Sequence, residues 1–126
     1  DFEGGYDCAI DKILEEIDKN PLLKGVTFSG GEPFCQAAEF AFLGEKIRER
    51  GLSVVTFTGY TYEELLDMND ENANRLLEVT DLLIDGRYEA GKRDLTLRFR
   101  GSSNQRIIDM NRTREAGSMV LAEEYM

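Results

Sequence analysis

The chain has 126 residues and a formal net charge of −10, and its size suits one domain with a buried core. The acidic excess disfavours nucleic acid and anionic membranes as partners, because both select basic surfaces, and no apolar run is long enough to span a bilayer. Two cysteines and no histidine exclude a Ser-His-Asp triad and a histidine-ligated metal, and they predict a reducing, cytoplasmic compartment.

Helices and strands alternate along the chain up to residue 84. Apolar periodicity and turn residues predict helices over residues 7–20, 36–50 and 61–68, a further helix beginning after Asn69 or Asp70, and strands over residues 25–29, 52–58 and 82–84. Long helices between apolar strands are typical of βαβ units. We therefore predict an α/β fold with a mostly parallel sheet and flanking helices.

Local patterns also predict which positions are buried and how the helices end. The predicted buried positions are Ile10, Ile13, Leu14 and Ile17 in the first helix, Phe40, Leu43 and Ile47 in the second, and Leu76 and Leu77 in the fourth. Gly51 is placed to end the second helix, and Thr61 with Glu64 forms a capping box for the third. The apolar, β-branched run over residues 54–57 favours a buried parallel strand.

The chain after residue 84 is less regular. A charged loop is predicted over residues 88–94 and an edge strand over residues 95–99. Residues 100–109 are polar, punctuated by glycine and aperiodic. Residues 113–126 form a poorly defined tail, in which residues 119–121 are a weak candidate for a last strand. We expect residues 1–126 to form a single domain.

The three predicted strands before residue 86 all end in polar, glycine-containing turns. These turns are Ser29-Gly30-Gly31, Thr58-Gly59-Tyr60 and Asp85-Gly86. Because the carboxyl ends of parallel strands share one rim, where ligands bind in α/β folds, we expect these residues to lie close together.

The first of these turns continues as Glu32-Pro33-Phe34-Cys35 and leads into a helix. Adjacent glycines let the backbone turn sharply and bring its polar groups close to a ligand. The acidic Glu32 would repel a phosphate, whereas a carboxylate and free carbonyls suit an ammonium group. The alternative is an ordinary strand-to-helix turn, in which the glycines serve only tight packing.

Residues 27–34, 58–65 and 100–109 together resemble the anaerobic ribonucleoside-triphosphate reductase activating proteins. These are radical S-adenosylmethionine (SAM) enzymes, and the resemblance extends from about residue 2 to about residue 112. It implies that the chain is part of a radical SAM partial (β/α) barrel that lacks the first strand. It also implies a reductase catalytic subunit as partner and an electron donor such as flavodoxin.

The resemblance implies a set of cofactor-binding residues. They are Gly30, Gly31, Glu32, Pro33, Thr58, Asp85, Asn104 and Arg106. The glycine loop would hold the methionyl amino group of SAM, and Thr58 would help to seat the ribose or the methionyl carboxylate. Asp85 is either at the site or solvated. Asn104 and Arg106 would face SAM or the reductase, unless Ser102 or Ser103 only starts a helical turn.

The family's CxxxCxxC motif, which holds a [4Fe–4S] cluster, is absent from this sequence. Cys8 and Cys35 are too few for the cluster, and we expect both to be structural, although a thiol at a helix start can be acidified. The expectation is that the motif lies upstream of an N-terminally truncated chain, which would then be inactive alone. The alternative is a relative that naturally lacks the cluster.

Two other functions stay open from the sequence. One is another radical SAM enzyme, such as a pyruvate formate-lyase activase or a deazapurine synthase, although the run over residues 100–109 argues against it. The other is a non-catalytic α/β binding module, in which the glycine loop only turns the chain.

Overall fold

The structure is a computed structural model that describes residues 6–20, 22–28, 32–86 and 105–123, with side chains described from residue 12 onward. The elements are α1 (Tyr6–Asp18), β1 (Gly25–Phe28), a 3₁₀ turn (Pro33–Gln36), α2 (Ala37–Glu49), β2 (Ser53–Phe57), α3 (Tyr62–Met68), α4 (Glu71–Val79), β3 (Leu82–Asp85), β4 (Arg106–Asp109) and α5 (Met110–Ala116). The predicted loop over residues 88–94 and strand over residues 95–99 lie outside the described residues.

The four described strands form one sheet in the order β1-β2-β3-β4. The pairs β1–β2 and β2–β3 are parallel, and the pair β3–β4 is antiparallel. The prediction of an α/β fold with a mostly parallel sheet is therefore confirmed. Among the described residues, none of the helices combines the length and the apolar composition that a membrane span requires.

The main core lies between one face of the sheet and the helices α2 and α4. Phe28, Val54, Leu83 and Ile108 from the sheet belong to the same buried cluster as Ile47 and Leu76 from the helices. Gly44 lets α2 approach α4 closely, because a Cβ at this position would lie 2.5 Å from Cγ2 of Val79. The predicted burial of Leu43, Ile47, Leu76 and Leu77 is confirmed.

Two predicted core positions differ from the prediction. Ile13 is 38% exposed, whereas Leu14 and Ile17 on the same helix are buried, so the buried stripe of α1 is narrower than the apolar pattern. Phe40 is only half-buried and packs against Phe28, with ring centroids 4.8 Å apart. The side chain of Ile10 lies outside the described residues.

The opposite face of the sheet carries a second, smaller cluster. Ile84, Ile107 and Ala122 are fully buried there, and the half-buried side chains of Val55, Phe57 and Leu82 pack against them. The prediction that β2 is a strand with apolar residues on both faces is confirmed, although its two faces are buried to different degrees.

Two elements near the carboxyl end were not predicted. Residues 100–109 show no periodic pattern, so no strand was predicted there, yet Arg106–Asp109 forms β4. The two isoleucines of β4 are fully buried and belong to different clusters. The predicted tail from residue 113 overlaps α5, which Asp109 caps by accepting from the N–H of Arg112 and which Gly117 ends at φ 75°.

The weak strand predicted over residues 119–121 is reduced to an isolated bridge between Leu121 and Ile108. Two backbone bonds hold this segment beside β4. The N–H of Asp109 donates to the carbonyl of Val120 at 2.9 Å, and the N–H of Ala122 donates to the carbonyl of Ile107 at 2.8 Å. The segment therefore belongs to the sheet edge rather than to a loose tail.

Candidate ligand-binding site at the strand ends

The rim predicted at the strand ends is present for the two turns that the structure describes, those at Thr58 and Asp85. Thr58 follows β2 and Asp85 ends β3, and these strands pair in parallel with Phe57 opposite Ile84. Arg106 begins the antiparallel β4 directly opposite Asp85. The predicted proximity of Thr58 and Asp85 is therefore confirmed. Ser29, Gly30, Gly31 and Asn104 lie outside the described residues.

Glu32 joins the turn after β1 to the turn after β2. Its Oε2 accepts from the hydroxyl of Thr58 at 2.8 Å and from the N–H of Phe34 at 3.2 Å. Its Oε1 accepts from the N–H of Gly59 at 2.8 Å. The buried Pro33 follows at the start of the 3₁₀ turn, where its missing N–H leaves no donor unsatisfied.

The loop of residues 58–62 is fastened to the end of β3. The N–H of Thr58 donates to the carbonyl of Ile84 at 3.0 Å, and the N–H of Gly86 donates to the carbonyl of Tyr60 at 2.9 Å. The N–H of Tyr62 donates to Oδ2 of Asp85 at 2.7 Å. These three bonds make the loop a fixed support beside Glu32.

The same loop leads into α3 through the capping box that the sequence predicted. The N–H of Glu64 donates to the hydroxyl of Thr61 at 3.1 Å, and the N–H of Thr61 donates to Oε1 of Glu64 at 2.8 Å. The capping role of Thr61 is thus confirmed, which separates it from the neighbouring Thr58.

Asp85 and Arg106 form an ion pair. Asp85 is 0% exposed, and its Oδ1 accepts from Nε of Arg106 at 3.0 Å while its Oδ2 accepts from Nη2. Nη2 of Arg106 also donates to Oε1 of the exposed Glu63 at 2.6 Å. The option that Asp85 is solvated is therefore wrong, because the carboxylate is buried and bound on both oxygens.

These contacts shift two pKa values. The hydrogen bond to Asp85 raises the pKa of Arg106 above its ordinary value, and the hydrogen bond to Glu63 adds a smaller increase. Burial acts in the opposite direction but does not cancel them. The hydrogen bond from Arg106 lowers the pKa of Glu63. The ionised forms of Arg106 and Glu63 are thus both favoured. Sequence patterns did not indicate Glu63 as a partner, because it lies 43 residues from Arg106.

Gln105 adds a further buried contact at this rim. Its side chain is almost fully buried, and its Nε2 donates to the carbonyl of Gly86 at 3.1 Å. The part of the run 100–109 that the structure describes therefore holds the end of β3 from two directions, through Gln105 and Arg106.

A cavity of about 640 Å³ opens on the helical side of the rim, between the start of α2 and the connection from α3 to α4. Phe34, Cys35, Tyr60, Met68 and Ala73 line it. Glu32 and Thr58, which are both described, do not line this cavity. Cys35 is a free, exposed thiol and not the buried structural cysteine that was expected from the sequence.

The chain belongs to the 4Fe-4S single cluster domain family, which matches residues 5–108. It is similar to the anaerobic ribonucleoside-triphosphate reductase-activating proteins of Vibrio cholerae, at 32% identity over 102 residues, and of Pasteurella multocida, at 34% over 101 residues. The corresponding protein of Escherichia coli K12 is 27% identical over 100 residues. The resemblance inferred from the sequence is confirmed.

These alignments cover 75–77% of this chain but only 62–63% of each relative. The chain therefore spans less than two thirds of the length of the curated relatives it matches. No solved structure gives a significant match.

The residues present do not fit a [4Fe–4S] cluster. The chain has two cysteines, and among the described side chains no three His, Cys, Asp or Glu residues are grouped so that they would hold a metal ion. Cysteine thiolates hold such clusters, and two cysteines are fewer than a [4Fe–4S] cluster requires.

Proposed function

We propose that the protein containing this chain is a radical SAM oxidoreductase that activates an anaerobic ribonucleoside-triphosphate reductase. The observation that carries the proposal is the similarity to several reductase-activating proteins over about three quarters of the chain. The same names favour a reductase over a formate lyase as the partner. A reductase catalytic subunit and an electron donor such as flavodoxin would be the partners, in the cytoplasm.

The chain would contribute part of the SAM pocket, as a single radical SAM-type α/β domain within a partial barrel. Glu32 supports this assignment, because its carboxylate lies at the carboxyl ends of parallel strands, where α/β proteins bind ligands. A carboxylate there suits the methionyl ammonium of SAM. Gly30, Gly31 and Pro33 would shape the loop around it.

The resemblance also assigns Asp85, Asn104 and Arg106 to the cofactor site. Asp85 and Arg106 already bind each other, so their geometry favours holding the rim together over binding the cofactor directly. Their contact with SAM, like that of Asn104, stays a prediction. Residues 1–126 alone are proposed to be inactive, because the cluster supplies the electron for cleaving SAM and its ligands are incomplete here.

The test uses the full-length protein, purified anaerobically and mixed with SAM, a strong reductant and an anaerobic ribonucleoside-triphosphate reductase. We expect 5′-deoxyadenosine to form and the reductase to become active only when all components are present. A full-length protein that contains iron and sulfide but neither cleaves SAM nor activates the reductase would overturn the proposal. Activation of pyruvate formate-lyase instead of the reductase would show that the protein functions as a pyruvate formate-lyase activase.

A further inference from the structure

We propose that Thr58 is a positioning residue that does not touch the ligand but fixes the carboxylate of Glu32 for a ligand ammonium group. The inference rests on the proposed function and assigns a role within the same site. It differs from the direct contact with ribose or carboxylate that the resemblance implies for Thr58.

The hydroxyl of Thr58 is occupied by two protein partners. It donates its one proton to Oε2 of Glu32 at 2.8 Å and accepts from the N–H of Tyr60 at 3.1 Å. The residue is only 5% exposed, which leaves little surface for a ligand. Its donor is therefore spent on Glu32.

The acceptor capacity of Glu32 indicates where a ligand would bind. From the described residues, Oε2 receives two hydrogen bonds, from Phe34 and Thr58, whereas Oε1 receives one, from Gly59. A carboxylate oxygen accepts about two such bonds, so an open direction remains on Oε1. Thr58 makes the shorter of the two bonds to Oε2, at 2.8 Å against 3.2 Å from Phe34, and so helps to set the rotation of the carboxylate.

The position of Thr58 is itself fixed. Its N–H is bound to the carbonyl of Ile84, and the loop that follows it is tied to Gly86 and Asp85. An acceptor held in place before binding loses little conformational entropy when the ligand arrives. Loss of the Thr58 hydroxyl would leave Oε2 with only the longer bond from Phe34, so the Glu32 carboxylate would be held less tightly.

The experiment measures binding of two ligands to the full-length protein by titration calorimetry. SAM carries the amino group, and 5′-methylthioadenosine lacks the amino-acid arm. Thr58→Val removes the hydroxyl at nearly constant volume, and Thr58→Ser keeps it. Thr56→Val is the matched control, because Thr56 is buried on β2, the strand that Thr58 follows, and its hydroxyl pairs with that of Thr80 at 2.9 Å, away from Glu32.

We expect Thr58→Val to weaken SAM binding about tenfold, as for loss of a bond to a charged group, and to leave 5′-methylthioadenosine binding unchanged. Thr58→Ser should bind both ligands as the wild type does, and Thr56→Val should lose stability without changing the ratio of the two affinities. Equal weakening of both ligands by Thr58→Val, no weakening of either, or failure of Thr58→Ser to restore SAM binding would overturn the inference. If the wild-type protein does not bind SAM, the proposed function itself fails, and this result differs from every result that would overturn the inference about Thr58.

Discussion

Asp85 and Arg106 stand opposite each other where β3 meets the antiparallel β4, and their side chains form a bidentate ion pair at the rim of the sheet. Asp85 is fully buried, whereas the side chain of Arg106 is 28% exposed. The pair joins the parallel part of the sheet to β4, the antiparallel strand among those that the structure describes. The pair also fixes Oδ2 of Asp85, which accepts a hydrogen bond from the N–H of Tyr62.

Replacing Arg106 by Met should destabilise the full-length protein strongly. The change leaves a buried carboxylate without its cation, which costs about 3 kcal/mol or more in the free energy of unfolding. Urea unfolding followed by circular dichroism measures the loss. The double variant Arg106→Met/Asp85→Asn should recover part of the stability that Arg106→Met loses. A double variant that loses more stability than the two single variants together would contradict the ion-pair account.

Glu63→Gln should behave differently from Arg106→Met, because the Glu63 side chain is 60% exposed. Its loss should cost less than about 1 kcal/mol at neutral pH. Since the folded-state pKa of Glu63 is lowered, its contribution is complete above its unfolded pKa of about 4.3 and is lost as pH falls through the folded-state value. Wild-type and variant stabilities, measured by urea unfolding between pH 7 and pH 3, should therefore converge at the acid end. A difference that grows on acidification would refute this.

Gly44→Ala should destabilise the packing of α2 on α4. The added Cβ would lie 2.5 Å from Cγ2 of Val79 and 3.2 Å from its Cβ, so the helices must separate, at a cost of about 1–3 kcal/mol. Thermal unfolding measures the effect. Val79→Ala removes the opposing methyl groups, and the double variant should regain stability relative to Gly44→Ala alone. If Gly44→Ala is as stable as the wild type, the close approach of the helices is wrong.

Cys35→Ala should change stability by less than about 0.5 kcal/mol, because the thiol is exposed and belongs to no described core. The iron and sulfide content of the full-length protein should also stay the same. Loss of iron in this variant would show that Cys35 is a cluster ligand and would contradict the conclusion that these residues do not hold the cluster.

The sequence predicted local features well because they depend on neighbouring residues. The capping box of Thr61 and Glu64 spans one helical turn, and the positive φ of Gly51 just after α2 follows from its lack of a side chain. The shared rim followed from strand alternation, since parallel strands place their carboxyl ends together. None of these inferences needed long-range contacts.

The sequence did not predict the contacts that join distant segments. β4 has only four residues, and its adjacent isoleucines are buried on opposite faces, so neither alternation nor helical periodicity marks it. The bond from Thr58 to Glu32 spans 26 residues, and the pair of Arg106 and Asp85 spans 21. The sequence identified these residues as polar groups at strand ends, but their partners depend on the folded geometry.

The most direct test of the site is the affinity of the full-length protein for SAM when Glu32 is replaced by Gln. The substitution keeps the shape of the side chain but removes its charge and one acceptor, so the attraction for the methionyl ammonium should fall. Glu45→Gln is the control, since Glu45 pairs with Arg75 on the surface away from the rim. We predict that titration calorimetry gives at least about tenfold weaker SAM binding for Glu32→Gln and unchanged binding for Glu45→Gln. Equal SAM affinity of Glu32→Gln and the wild-type protein would contradict the account.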